Sequence, residues 1–309
     1  MCGIPECARG EAWLRLSRAD VLGEANAGVY GALLGRAEGA KEALIGADVE
    51  RTLPKHQLFR EREGVGQRSL YRVLRAFSVY DGEVGYCQGM GFIAGLLLGY
   101  LSEAEAFWAL VGLLRGAGRS ALPGQAGLPM SRRTPGSPLA AGGGGGAPGG
   151  PPELGQPGVY VLAGLFLPGL PLFRPTMRCF EALALRHVPR MAQHLAGLGI
   201  RPSMYSSLWF FTLFACNYPS PLISRLWDAF FARGWPVVFQ AALAVLQFDA
   251  AALLRSDFEG SLLRLKSAPN CGCNSRKVTE ALVRAAQKCL VSHSDLAEMD
   301  AVLQAATPR

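Results

Sequence analysis

The sequence of 309 residues has little charge and no apolar run that is both long enough and uninterrupted enough to cross a bilayer. Charged residues make up only 18% against 50% hydrophobic residues, a balance that excludes a wholly disordered chain. The apolar run 90–101 is too short, 158–173 is broken by prolines, and 235–254 carries two glutamines and an aspartate. We therefore expect buried elements of a globular fold and no membrane-spanning helix.

The sequence also lacks the features that hold nucleotides or nucleic acids. No Gly-x-x-x-x-Gly-Lys-Ser/Thr loop occurs, and the five-glycine run at 142–146 does not supply one. The formal net charge is +7, but the basic residues are scattered and do not alternate with aromatic residues in a dense stripe. We expect no nucleic-acid partner. A peripheral, weak attraction to anionic membranes or to an acidic partner is the most that this charge supports.

Neither a disulfide framework nor a metal site is predicted. Several of the eight cysteines lie in apolar helical patterns, where a free thiol behaves as a small hydrophobic group. Cys271 and Cys273 form a Cys-x-Cys pair without the second pair of ligands that a zinc site requires. Residues 1–13 carry charges where a signal peptide has its apolar region, so no signal peptide is predicted.

One segment, 115–157, differs from the rest of the chain. Gly, Pro, Ala and Ser dominate it, and branched apolar and aromatic residues are almost absent, which predicts a disordered, flexible insertion. We expect one domain over 3–266, interrupted by this insertion, and C-terminal helices over 267–309 that pack on the domain. Because predicted helices lie close to both ends, we expect little room for targeting modules.

On both sides of the insertion, apolar residues recur at helical spacing, and alternating strand patterns are almost absent. Ser102 followed by Glu105 predicts a capping box at the start of a helix over 103–114. Four apolar residues within 70–77 share one face of another helix. The predicted fold class is all-α with short polar connections. Further helices are predicted over 11–18, 40–51, 90–101, 177–196, 204–216, 221–233, 236–247, 279–291 and 295–305.

Two polar side chains stand at the ends of predicted helices. Arg51 ends a helical run and is followed by Thr52 and Pro54, which places it near an exposed helix end. Gln88 precedes an apolar helix and has a glycine on either side, at 85 and 89, which permits unusual backbone geometry. Neither side chain can act as a general base. Together they suit the stabilisation of charge on a transferring phosphoryl group and the orientation of a water molecule.

Four short motifs follow one another along the chain. One of them contains Arg51 and another contains Gln88. IGADVERT at 45–52 matches the pattern Ile-x-x-Asp-x-x-Arg-Thr, and GYCQGM at 85–90 matches Tyr-x-Gln-Gly. GIPECARGEAW at 3–13 and the segment 203–246 provide a first-helix signature and a third block. In this order and at this separation, the motifs resemble those of the TBC domain family of Rab GTPase-activating proteins.

The resemblance covers roughly 3–114 and 158–266 and implies a multi-helix fold of two helical lobes. It also implies that the protein is a GTPase activator without a reaction of its own, since it would complete the active site of a Rab protein in its GTP-bound form. GTP and Mg²⁺ would be carried by the Rab, so no cofactor or metal of its own is expected. Arg51 would neutralise charge on the phosphate oxygens, and Gln88 would position the attacking water.

Supporting roles are expected for Asp48, Thr52, Tyr86 and Gly89, which belong to the same two motifs. Asp48 lies one turn before Arg51 and is expected to orient it; an exposed ion pair that contributes little is the alternative. We expect Tyr86 to support its loop by packing and by a hydrogen bond. In the third block, Trp209 and Trp227 are expected in the core, and Asp228 to cap or bridge helices.

Two other functions stay open from the sequence. TBC folds can serve as scaffolds, so the chain could bind a Rab while accelerating its hydrolysis little or not at all. In a third interpretation, Cys87 is the nucleophile of a self-sufficient hydrolase with His56 as its base, although no oxyanion hole is placed beside it. The resemblance further implies a role in vesicle trafficking and a cytoplasmic protein recruited to endomembranes through its partner. The shared motifs leave the choice of Rab open.

Overall fold

The computed structural model describes residues 3–36, 41–116, 162–216, 218, 220–267, 275–292, 294–297 and 301. Across these residues the regular secondary structure is helical and no strand occurs, which agrees with the predicted all-α class. Short 3₁₀ helices cover Leu162–Leu165 and Ser294–Leu296. The α-helices are α1 Glu6–Leu16, α2 Ala19–Ala25, α3 Val29–Leu34, α4 Glu42–Arg51, α5 Val65–Tyr80, α6 Met90–Leu98, α7 Glu103–Arg115, α8 Phe173–His187, α9 Pro189–Gly197, α10 Pro202–Tyr205, α11 Ser207–Phe211, α12 Ser220–Arg233, α13 Trp235–Phe248, α14 Ala250–Leu253, α15 Phe258–Lys266 and α16 Ser275–Lys288.

Helix α7 begins as predicted and ends one residue later than predicted. Glu105 Oε2 accepts a hydrogen bond from the backbone N–H of Ser102 at 2.8 Å, which satisfies a donor that the helix leaves unpaired. Arg115 is helical and buried, so its assignment to the insertion is wrong. Gly116, with φ of 77°, then ends the helix. The rest of the predicted insertion, 117–157, lies outside the described residues.

Two predicted helices are each interrupted. The helix expected over 177–196 is α8 followed by α9, because Val188 precedes a proline and adopts φ −137° and ψ 52°. The helix expected over 204–216 is α10 and α11 followed by turns, in which Leu213 and Phe214 have φ of 46° and 65°. Both side chains are buried, so packing outweighs the left-handed strain of the turn.

Other predicted boundaries shift by a few residues. Helix α1 starts before the expected range 11–18, and α6 ends before the expected limit of 101 because Gly99 caps it. Helices α2, α3, α14 and α15 were not predicted, since they are short or carry a weak apolar pattern. The predicted helix over 295–305 lies mostly outside the described residues.

The helices form two lobes. Helices α1–α7 pack mainly on one another, and so do α8–α16, with α16 against α12 and α13. The lobes meet where α1 crosses α12: the Trp13 ring lies 5.6 Å from that of Trp227 and 5.4 Å from that of Phe231. Asp228 accepts hydrogen bonds there from Trp13 Nε1 at 2.9 Å and Arg9 Nε at 3.0 Å. This aspartate therefore bridges the lobes, and both predicted core tryptophans, Trp227 and Trp209, are buried.

Two further features of the described residues are the apolar length of the helices and the state of the cysteines. No described helix combines the length and the apolar character that a bilayer crossing requires. The five described cysteines are free thiols. Cys271 and Cys273 lie outside the described residues.

Candidate functional site

Arg51 is the last residue of α4, and its side chain is 57% exposed. Its guanidinium pairs with the carboxylate of Asp48, one helical turn earlier. The position suits a cation, because unpaired carbonyl groups and the helix dipole make the end of a helix negative. Arg51 is thus a surface cation that rests on a neighbouring carboxylate.

That carboxylate also receives the side chain of Tyr86. Asp48 is buried, and its Oδ2 accepts a hydrogen bond from Tyr86 Oη at 2.5 Å. Burial and the hydrogen bond to Asp48 raise the pKa of Tyr86, so the phenol stays a neutral donor. Asp48 is therefore a buried carboxylate with two hydrogen-bond donors. This differs from the alternative predicted from the sequence, an exposed Asp48–Arg51 ion pair that contributes little. Asp48 thus links Arg51 to Tyr86, which lies two residues before Gln88 in the sequence.

Gln88 lies in the loop between α5 and α6. It is exposed, and its side chain makes no hydrogen bond within the described part of the chain. Gly85 and Gly89 have φ of 60° and 106°, values that favour glycine, and Gly89 is the N-cap of α6. The Cys87 carbonyl accepts from the backbone N–H of Met90 at 3.2 Å. The backbone of this loop, and not a side-chain hydrogen bond of Gln88, therefore determines where Gln88 lies.

Thr52 joins the end of α4 to the start of α6. Its Oγ1 donates to the backbone carbonyl of Asp48 at 2.7 Å, and the residue is buried. A Cβ added at Gly91 would come within 2.9 Å of this oxygen, so only glycine permits the approach. The motifs did not single out Gly91, although the closely spaced glycines at 89 and 91 are a signal of tight packing.

The second lobe reaches the site at Gly89. A Cβ at Gly89 would lie 3.8 Å from Phe211 Cβ and 3.9 Å from Thr212 Cγ2. Phe211 in turn stacks on Phe173, with ring centroids 5.4 Å apart and an interplanar angle of 13°. No local pattern could have indicated this contact, because Phe211 and Gly89 belong to different lobes.

Cys87 does not have the surroundings of a nucleophile. Burial raises the pKa of its thiol, which reduces the reactive thiolate at neutral pH. In the described structure no hydrogen bond links it to His56, whose Nδ1 accepts from the backbone N–H of Leu58 at 3.2 Å. The structure thus offers no support for the Cys87 hydrolase.

A family model described as the Rab-GTPase-TBC domain matches residues 6–124 and 159–254. The chain belongs to this family. Its six candidate residues, from Asp48 to Gly89, all fall in the first matched range. The family membership predicted from the motifs is confirmed.

Relatives in this family are longer than the chain. The Ecotropic viral integration site 5 protein homolog of Homo sapiens is 33% identical over 221 residues, which are 72% of this chain and 22% of that protein. The Rab GTPase-activating protein tbc-11 of Caenorhabditis elegans is 29% identical over 95% of this chain and 27% of that protein. The chain thus spans roughly a quarter of the length of these two relatives.

Solved structures share the fold. The Chlamydomonas flagellar RabGAP TBC domain superposes with a TM-score of 0.66 at 24% identity, covering 92% of this chain and 80% of that one. The Ypt/Rab-GAP domain of Gyp1p superposes with a TM-score of 0.62 at 16% identity, covering 92% and 88%. These likenesses confirm the predicted all-α TBC fold.

Proposed function

We propose that this chain is a GTPase-activating protein that supplies Arg51 and Gln88 in trans to a GTP-bound Rab protein. One observation carries the proposal: the buried carboxylate of Asp48 holds both Arg51 and Tyr86, so that it ties the helix of one finger to the loop of the other. Membership of the Rab-GTPase-TBC family supports a Rab as the partner.

In this proposal the Rab brings GTP and Mg²⁺, and the chain adds no cofactor. The exposed guanidinium of Arg51 moves from Asp48 to the phosphate oxygens and stabilises charge that develops there. An arginine supplied in trans is worth about 10³ to 10⁵ in rate. The carboxamide of Gln88 can donate through its nitrogen and accept through its oxygen, which suits it to orient a water without taking its proton.

The same proposal assigns the protein to vesicle trafficking. A Rab partner would bring it from the cytoplasm to endomembranes. The net charge of +7 would add a weak attraction to an anionic membrane surface.

The test is single-turnover GTP hydrolysis by a panel of GTP-loaded Rab proteins, with and without the full chain. We expect acceleration of at least one Rab. Arg51→Ala should lower the maximal rate about 10³-fold or more, and Gln88→Ala should lower it about 100-fold. Arg62→Ala is the control, because it removes an exposed arginine that pairs only at the surface with Glu50. It should retain the activity.

The outcomes separate activator from scaffold. Acceleration that disappears in both finger variants supports the proposal. Binding of a GTP-loaded Rab without acceleration would identify a scaffold instead, and acceleration that survives both substitutions would contradict the assigned fingers.

A further inference from the structure

The loop that carries Gln88 has a second anchor besides Tyr86. It begins at Asp81, directly after α5, and the end of α7 lies against it. Arg115 Nε donates to Asp81 Oδ2 at 2.5 Å, and Arg115 Nη2 donates to Asp81 Oδ1 at 2.7 Å. The same Nη2 donates to Glu83 Oε2 at 2.7 Å. One guanidinium thus holds two carboxylates of the loop in a bidentate and bridging arrangement.

Arg115 and Asp81 are both buried, with side chains 7% and 3% exposed. Burial alone would lower the pKa of Arg115, but the hydrogen bonds and charges of Asp81 and Glu83 outweigh it and raise the pKa. A buried charge that lost its partner would be costly, so each member of the pair constrains the other. The pair therefore restrains the loop more firmly than a surface ion pair could.

Asp81 is also hydrogen-bonded to the backbone of the loop. Its Oδ1 accepts from the backbone N–H of Val84 at 3.2 Å, and its carbonyl accepts from that of Gly85 at 2.7 Å. Gly85 is the residue with left-handed φ that turns the chain toward Tyr86 and Gln88. The guanidinium of Arg115 thus orients the carboxylate that shapes the turn.

Gln88 depends on these anchors because it is exposed and its side chain makes no hydrogen bond in the described structure. Tyr86 ties the loop to α4 through Asp48, and Asp81 ties it to α7 through Arg115. Helix α7 also packs on α5 and α6, the two helices that the loop connects. Arg115 therefore fixes the loop relative to the three packed helices α5, α6 and α7.

We propose that Arg115 is a positioning residue for Gln88, acting through Asp81 and Glu83 on the loop between α5 and α6. The inference rests on the proposed function for its catalytic consequence. Its structural part concerns the free protein and can be tested without a Rab.

The first experiment is hydrogen–deuterium exchange of the free full chain. In Arg115→Lys, which keeps the charge but loses the bidentate geometry, the amides of Val84 and Gly85 should exchange at least about 10-fold faster relative to amides of α5. Arg115→Met should do the same, if it folds. Arg9→Lys is the matched control, because Arg9 forms an equally buried pair with Asp228 away from this loop. Unchanged exchange in Arg115→Lys would overturn the proposal.

The second experiment is a double-mutant cycle with the Rab protein that responds best in the panel. Arg115→Lys should lower the maximal rate about 10-fold and leave the half-saturating concentration of the chain unchanged. In the Gln88→Ala background the same substitution should cost less than about 2-fold, because the residue that it positions is absent. Arg9→Lys should leave the maximal rate unchanged at a temperature where it is folded.

An equal loss in both backgrounds would show that Arg115 does not act through Gln88 and would overturn the proposal. If the wild-type chain accelerates no Rab, the proposed function fails. The exchange measurement then still decides whether Arg115 restrains the loop.

Discussion

At the scale of single residues, the environment of Asp48 determines how the candidate site is held. A buried carboxylate is costly unless donors surround it. Here the donors are the Arg51 guanidinium and the Tyr86 hydroxyl, which come from different elements. Satisfying one charge therefore brings the helix of Arg51 and the loop of Gln88 together.

Tyr86→Phe removes one of these donors and leaves Asp48 underbonded. We expect a loss of about 1–3 kcal/mol in the free energy of unfolding, since the acceptor is charged and buried. A lower maximal rate of Rab hydrolysis should accompany it. Urea denaturation and the single-turnover assay measure the two effects. Tyr205→Phe is the control, because this buried phenol makes no hydrogen bond in the described structure. Equal behaviour of the two variants would argue against the role of Asp48.

At the scale of elements, glycines determine how closely helices approach. Gly91 on α6 faces Thr52, and a Cβ there would come within 2.9 Å of the threonine oxygen. Gly46 on α4 has no atom within 4 Å of the position of its Cβ. The first glycine is therefore required by packing, whereas the second only weakens its helix.

This contrast predicts opposite effects of one substitution. Gly91→Ala should destabilise the protein by about 1–3 kcal/mol, because Thr52 must move and release its hydrogen bond to Asp48. Gly46→Ala should stabilise it by about 0.5–1 kcal/mol through helix propensity. Urea denaturation of both variants tests the pair. A neutral Gly91→Ala would mean that α4 and α6 can separate freely.

A second inter-helix contact predicts a dependence on pH. Glu103 on α7 accepts from Arg72 Nε on α5 at 2.8 Å and from Tyr30 Oη on α3 at 2.7 Å. Burial alone would raise the pKa of Glu103, but the hydrogen bonds from Arg72 and Tyr30 outweigh it and lower the pKa from its ordinary value. This lowered pKa stabilises the folded protein at pH values above the pKa that Glu103 has in the unfolded chain. The stabilisation is lost as the pH falls through the pKa of Glu103 in the folded protein.

Glu103→Gln should therefore lose less unfolding free energy than the wild type when the pH falls from about 5 to 3. Arg72→Met removes a cause of the lowered pKa and should flatten the dependence in the same direction. Urea denaturation across this pH range is the measurement. Parallel curves for all three proteins would rule out this contribution.

At the scale of the whole molecule, one buried aspartate joins the two lobes. Asp228 on α12 binds Arg9 and Trp13 on α1, and it also accepts from the backbone N–H of Ile4 at 2.9 Å. These donors belong to the start of the chain, whereas Asp228 lies far along it. The contact therefore holds the two lobes together.

Removing its partner should be costly. Arg9→Met should lower the free energy of unfolding by about 3–5 kcal/mol, because it leaves Asp228 buried without its cation. Arg15→Met on the same helix removes only an exposed pair with Glu11 and should cost less than about 0.5 kcal/mol. Urea denaturation compares the two. A small cost in both would show that the lobes do not depend on this pair.

Prediction from the sequence succeeded mostly where the signal is local, and it failed where the cause lies in distant contacts. The apolar period indicated most helices, and Ser102 with Glu105 marked the start of α7. The interruption at Val188 was missed, although the proline after it is a local signal. The turn at Leu213 and Phe214 could not be predicted, because the burial that stabilises it comes from distant residues.

The sequence by itself determined the all-α class and the family and singled out the two candidate finger residues, because helical periodicity and short motifs depend on neighbours along the chain. It also indicated that Asp48 would orient Arg51, one turn away. Only the tertiary structure decided that Tyr86 shares this carboxylate, that Arg115 belongs to α7 and holds Asp81, and that the second lobe contacts Gly89. Hydrogen bonds between residues far apart in sequence form only when packing brings their helices together, and no single segment encodes that approach.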